Sequence, residues 1–88
     1  MVKMSGLHID YSGNKWWYRN NLFHRLNGPA IIYCCGDKEW VQNGMRHRMD
    51  GPSMENTSGF RCWYYQDKMI RVSSQVEFER LIKLRLLW

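Results

Sequence analysis

The stretch Gly36–Pro52, "GDKEWVQNGMRHRMDGP", decides the fold because most of it occurs again 23 residues away. Shifted back by 23, it lies over Gly13–Pro29, "GNKWWYRNNLFHRLNGP". Shifted forward, it lies over a weaker copy, "GFRCWYYQDKMIRVSSQ", that starts at Gly59. The anchors keep step without a gap: Gly13, Gly36 and Gly59, then Trp17, Trp40 and Trp63, then Arg25, Arg48 and Arg71. His24 matches His47, and Gly28-Pro29 matches Gly51-Pro52. A fixed period of about 20–50 residues is the signature of units that stack on one another.

Each copy has a physical reading. "KWWY", "KEWV" and "RCWY" are short aromatic and β-branched runs that suit strands. Asn43-Gly44 follows as a two-residue hairpin signal, because a type I′ turn needs positive φ at both positions. Asn20-Asn21 and Gln66-Asp67 stand at the same place. A returning strand is expected to carry the His-Arg pair until Gly-Pro breaks the ladder. "AIIYC" supplies a further strand, and "LHIDYS" near the N-terminus aligns with it. The expected fold is mainly β: a meandering antiparallel sheet of 23-residue repeats, closed by a C-terminal α-helix.

One domain accounts for the chain. Residues 1–12 read as a partial repeat strand, 13–35 and 36–58 as full repeats, 59–73 as a degenerate third, and 74–88 as a capping helix. Ser74-Gln75-Val76-Glu77 fits a capping box, in which serine and glutamate satisfy each other's free amides. Phe78, Leu81 and Ile82 then form an apolar stripe. Such a helix is expected to close the exposed edge of the last unit.

With the period and the W-x-x-N-G-x-x-H core in hand, the chain resembles the MORN repeat family. The nearer likeness is a variant, W-x-x-N-G-x-x-H-R-x-x-G-P-A, associated with bacterial and phage proteins. Residues 13–35 and 36–58 carry it, with Asn21 in place of the turn glycine and Ser53 in place of the alanine. The resemblance implies a partner-binding or assembly module, with lipid binding proposed for some members. It implies no catalytic residue.

Composition bounds the function further. Eighty-eight residues bury only about 60–65% of their unfolded surface, so dense packing or a partner must help. Five tryptophans, five tyrosines and three phenylalanines supply that density. No segment has the apolar length of a membrane span, and "MVKMSGLHIDYSG" lacks the apolar run of a signal peptide. Three cysteines, two of them adjacent at Cys34 and Cys35, make a poor disulfide framework and point to a reduced, cytoplasmic setting, a host's cytoplasm if the protein is phage-encoded. Thirteen basic against eight acidic residues, a net charge of +5, favour an anionic partner.

The candidate residues each have two roles open to them. Trp17, Trp40 and Trp63 would align in a row with Lys15, Lys38 and Arg61 beside them. That row is either a packing spine or a platform for stacking bases. Arg25, Arg48 and Arg71 would stand about 10 Å apart and suit carboxylates or phosphates. Alternatively, each arginine stacks on a tryptophan and donates to the loop before Gly-Pro. His24, His47, Arg46 and Trp88 join the arginines as candidate partner-binding residues. Gly13, Gly36, Gly59, Gly28, Pro29, Gly51 and Pro52 join the tryptophans as structural ones. Neither the histidines nor Cys34, Cys35 and Cys62 fall at zinc-ligand spacing, so no metal or other cofactor is expected. Nothing signals a nucleophile with a base, and no enzyme activity is expected.

The resulting expectation is a non-enzymatic protein-binding module, plausible as a small phage effector that binds and inhibits or redirects a host protein. Its partner would carry an acidic surface. Direct nucleic-acid binding and self-assembly into a homo-oligomer are the alternatives; a membrane role through Lys83 and Arg85 fits poorly, because the helix is short and these residues lie on different sides.

Overall fold

The computed structural model describes the backbone of residues 5–86 and the side chains of residues 5–84. Among these residues the chain is mainly β, with ten strands followed by one helix. The strands are β1 (Gly6–Ile9), β2 (Lys15–Arg19), β3 (Leu22–Phe23), β4 (Ile31–Ile32), β5 (Lys38–Glu39), β6 (Val41–Gln42), β7 (Met45–Arg46), β8 (Met54–Glu55), β9 (Arg61–Tyr65) and β10 (Lys68–Ile70). Helix α1 spans Gln75–Leu86. Eight strands form one antiparallel sheet in the order β1-β2-β4-β5-β8-β9-β10, with β3 paired to β2 off that path. β6 and β7 pair separately, as the middle hairpin.

Register follows the 23-residue spacing. Between β2 and β4, Lys15 faces Ile32 and Trp16 faces Ile31. Twenty-three residues on, Lys38 faces Glu55 and Glu39 faces Met54 between β5 and β8. The β4–β5 pair of Ile31 with Glu39 likewise corresponds to the β8–β9 pair of Met54 with Cys62. The three hairpin turns share one geometry. Asn43 and Gly44 have φ of 50° and 79°, Asn20 and Asn21 have 50° and 68°, and Gln66 and Asp67 have 47° and 68°. A non-glycine residue held there costs about 1 kcal/mol or more, so pairing of the flanking strands overrides local preference at Gln66-Asp67.

Side chains tie each unit to the next. Asn14 Oδ1 accepts the Cys34 N–H at 2.7 Å, and Asp37 Oδ1 accepts the Thr57 N–H at 2.9 Å. The Asn43 N–H donates to His24 Nδ1 at 2.9 Å, and the Gln66 N–H to His47 Nδ1 at 3.0 Å. Each histidine thereby satisfies a donor of the hairpin that follows it. Among the described residues no hairpin follows the third unit, and Ile70 stands at the histidine's place.

The core is thin and divided. Ala30, Ile31 and Val41 are buried with Trp16, Phe23 and Tyr33 against them. Trp63, Phe78 and Ile82 form a second cluster, flanked by Tyr65, Ile70 and Val72. Described residues extend 41 × 33 × 18 Å, and 18 Å accommodates a single sheet layer with its side chains and one helix.

The structure corrects three expectations. The His-Arg pairs lie just beyond the returning strands, since β3 ends at Phe23 and β7 at Arg46. Helix α1 closes the β10 end of the sheet as expected, packing on side chains of β9 and of the edge strand β10. Its buried stripe is Phe78 and Ile82, one turn apart, while Leu81 is 40% exposed. A sheet meets a short helix along a narrow line, and Leu81 lies about 100° of helical rotation from Ile82. The capping box is half-formed. Ser74 Oγ accepts the Glu77 N–H at 3.3 Å, but the Glu77 carboxylate reaches Ser73 instead of Ser74, accepting from Ser73 Oγ at 3.1 Å.

Candidate functional site

One face of the sheet carries Trp17, and Arg25 lies flat over its indole with the guanidinium carbon 3.9 Å from the ring centroid. Arg25 Nη1 also donates to Pro29 O at 3.2 Å. The second unit repeats this rung, with Arg48 3.8 Å from the Trp40 ring and donating to Pro52 O at 3.1 Å. Gly28 and Gly51 are needed for this approach. A Cβ on Gly51 would lie 2.5 Å from the Arg48 guanidinium carbon, and one on Gly28 3.2 Å from that of Arg25. Gly13, Gly36 and Gly59 serve differently, turning the chain with φ near 92°, 101° and 95°.

The arginine series is therefore not uniform. Arg25 and Arg48 are held within their own units by a ring and a carbonyl. Acidic residues do not recur at 23-residue spacing, yet Arg48 finds two: Asp50 at 3.0 Å and Glu55 at 3.5 Å. Arg71 is exposed and makes no ion pair or ring contact among the described residues. Trp63, its expected ring, is only 5% exposed and is covered by Phe78 and Ile82. Trp63 Nε1 donates to Gln75 Oε1 at 2.8 Å, and Gln75 Nε2 to Met49 O at 2.9 Å. His24 and His47 are partly buried and engaged through Nδ1. Trp88 lies outside the described residues.

Among the described cations of the same face that make no ion pair, Arg19 and Lys68 lie at the hairpin turns, while Lys15, Lys38 and Arg61 stand together in mid-sheet. Cross-strand register sets them in one row, Ile9, Lys15, Ile32, Lys38, Glu55, Arg61. Each cation is two strand spacings, about 10 Å, from the next. All three are exposed, and none takes part in an ion pair among the described residues. Glu55 stands between Lys38 and Arg61 but turns part of its charge to Arg48.

On the opposite face the second unit departs from its neighbours. Glu39 is 5% exposed, at the place held by Trp16 and Cys62 in the other units. Arg46 Nε donates to Glu39 Oε1 at 2.8 Å, and the Tyr33 hydroxyl donates to the other carboxylate oxygen. Burial, together with that hydrogen bond, pushes the Tyr33 phenol up to about 12. The Glu39 hydrogen bond holds the Arg46 guanidinium above its usual range. An open groove of about 340 Å³ adjoins this cluster, lined in part by Trp16, Phe23, Glu39 and Arg46. Sequence reasoning picked out Arg46 and missed Glu39 and Tyr33. A signal existed, since Glu39 and Arg46 replace Trp16 and Phe23 together. Complementary charges entering two apolar positions at once imply contact.

Among the described residues no group of three or more His, Cys, Asp or Glu could hold a metal ion. No helix among them is long and apolar enough to cross a membrane. Cys34 and Cys35 are exposed thiols, and Cys62 is a buried one. Comparison with known proteins finds no matching protein family, no similar curated protein and no similar solved structure. The likeness to MORN repeats rests on the residues that carry the W-x-x-N-G-x-x-H spacing.

Proposed function

We propose that the chain is a non-enzymatic binding module that engages an acidic protein surface through Lys15, Lys38 and Arg61. The observation that carries this reading is the free cation row itself. Spacing of about 10 Å equals the screening length near 0.1 M salt, so neighbouring positive potentials overlap there. Carboxylates presented on a flat partner surface match a flat row of cations. The three tryptophans of that face are not bare platforms for a nucleobase, since arginines cover Trp17 and Trp40 and the helix covers Trp63. That weighs against single-strand recognition by stacking.

The experiment is a pull-down of the tagged chain from bacterial lysate with and without nuclease, read by mass spectrometry, followed by affinity measurement on the captured protein. Lys15→Glu with Lys38→Glu should weaken binding at least ~10-fold, the effect of losing two favourable charge contacts. Arg80→Glu with Lys83→Glu makes the same change in net charge on the helix and should leave affinity near that of the wild type. Equal loss in both variants would leave net charge, not the row, as the determinant. Capture abolished by nuclease would replace a protein partner with nucleic acid.

A further inference from the structure

We propose that the protein assembles head to tail, with the outer edge of β1 in one copy adding to the start of β9 in the next. This goes beyond the binding row and stands independently of it. The evidence is an unfilled place in the register. β2 is bordered at Lys15 and Trp16 by β1 on one side and β4 on the other. β5 is bordered at Lys38 and Glu39 by β4 and β8. Among the described residues, the corresponding positions of β9, Arg61 and Cys62, pair with β8 alone, because β10 starts its pairing at Trp63. An open groove of about 660 Å³ adjoins this end of β9, lined by Pro52 and Trp63 as well as by Gly59, Phe60, Arg61 and Val72–Gln75. The strand of a further unit would enter beside it, along the unpaired edge at Arg61 and Cys62.

The other end of the sheet is the complement of that place. β1 stands 23 residues before β4 and, among the described residues, pairs only with β2. It is exposed throughout, with Leu7 51% and Ile9 54% exposed. An apolar edge strand left open in this way is a template for another chain. If the internal register continues across two copies, Ile9 of one faces Arg61 of the other, as Ile32 faces Lys15. His8 then faces Cys62, as Ile31 faces Trp16.

A second, independent correspondence falls at the junction. Inside the chain, adjoining units are clamped by Asn14 on the Cys34 N–H and by Asp37 on the Thr57 N–H. The next pair in this series joins Phe60 of one copy to Tyr11 of another. Both are aromatic, and they are 55% and 111% exposed. Two rings replace a polar clamp at the one junction where the units belong to different molecules. The histidine clamp has no counterpart there, because Ile70 offers no acceptor, so the contact is weaker than those within the chain. A heterologous contact of this kind yields rings or open filaments.

His8→Cys in a Cys34→Ser, Cys35→Ser background tests the register. Within one copy, residues 8 and 62 are five strand spacings apart, about 24 Å, far beyond the reach of a disulfide. Mild oxidation should therefore give a ladder of linked multimers, with mass spectrometry of tryptic peptides showing the introduced thiol joined to Cys62. Leu7→Cys places its thiol on the other face of β1 and should link at least ~10-fold less. Ile9→Pro should suppress linkage too. Asp10 N–H bonds Asn14 O, so alternation turns the Ile9 N–H outward and proline removes no bond of the chain's own sheet. Sedimentation of the unmodified protein should show mass rising with concentration. A single monomer at every concentration would overturn the proposal. So would linkage to Cys62 that is equal from residues 7 and 8, or absent in a variant that retains the wild-type melting transition.

Discussion

Trp40 and Trp63 stand 23 residues apart in the chain and are covered by opposite means. Over Trp40 lies the Arg48 guanidinium, 3.8 Å from the ring and only partly sheltered from water. Over Trp63 lie Phe78 and Ile82 of α1, which leave the ring 5% exposed. Arg71 keeps the arginine's place in the sequence but has no ring to stack on. A conserved spacing of residue types within one chain thus does not guarantee a conserved contact. What decides is which side chain reaches the indole first with the larger buried area. The helix wins because two apolar side chains one turn apart bury more surface than one guanidinium.

The sharpest way to break this comparison is to remove the helix's hold. Phe78 is fully buried, and Phe78→Ala should cost about 3–5 kcal/mol. A chain of this length has roughly 4–13 kcal/mol of stability in all. Trp63 fluorescence should shift toward that of a solvated indole, and the melting transition should fall or disappear. A loss below about 1 kcal/mol would mean that the helix is not what holds this end.

A smaller effect separates the arginines. Arg48→Ala should cost about 1–2 kcal/mol, the worth of a partly buried cation–π contact with its hydrogen bond, whereas Arg71→Ala should stay within about 0.5 kcal/mol. Gly51→Ala should cost about as much as Arg48→Ala, because the added Cβ displaces the guanidinium that it would meet at 2.5 Å. The double variant should then be no worse than either single one, since both remove the same contact. Additive losses, measured by denaturant unfolding, would show that Gly51 is kept for another reason.

Much of this arrangement was legible in the residues, for identifiable causes. Turn positions were readable because Asn43-Gly44 satisfies a backbone requirement and the spacing carries it to the other two hairpins. The arginine–tryptophan stack and its loop carbonyl were one of two alternatives that the pattern left open. Coverage of Trp63 was not readable in the same way. The sequence shows a helix with Phe78, Leu81 and Ile82 on one side, but docking geometry alone decides that 78 and 82 touch the sheet and 81 does not. Glu39 and Tyr33 escaped because a single acidic residue in a strand looks solvated until its cross-strand partners are known. Their pairing is a tertiary fact, written in the sequence only as a double departure from the neighbouring units.

The smallest expected effect concerns the link between the two regions. His47 belongs to the Arg48 unit, and its Nδ1 accepts the Gln66 N–H of the hairpin that carries Trp63. Burial holds its pKa below the usual 6.5. The unfolded chain therefore takes up the proton first as pH falls. The stabilisation is fully present above about pH 6.5 and is lost as pH drops through the lowered folded-state value. A protonated Nδ1 would also set a donor against the Gln66 N–H, so the clamp between the units opens. The wild type should lose roughly 2–4 °C more in melting temperature between pH 7.5 and 5.0 than His47→Gln, which cannot titrate. Equal losses would mean that the histidine's proton does not govern the clamp, and that the two ends of the sheet respond to acid independently of it.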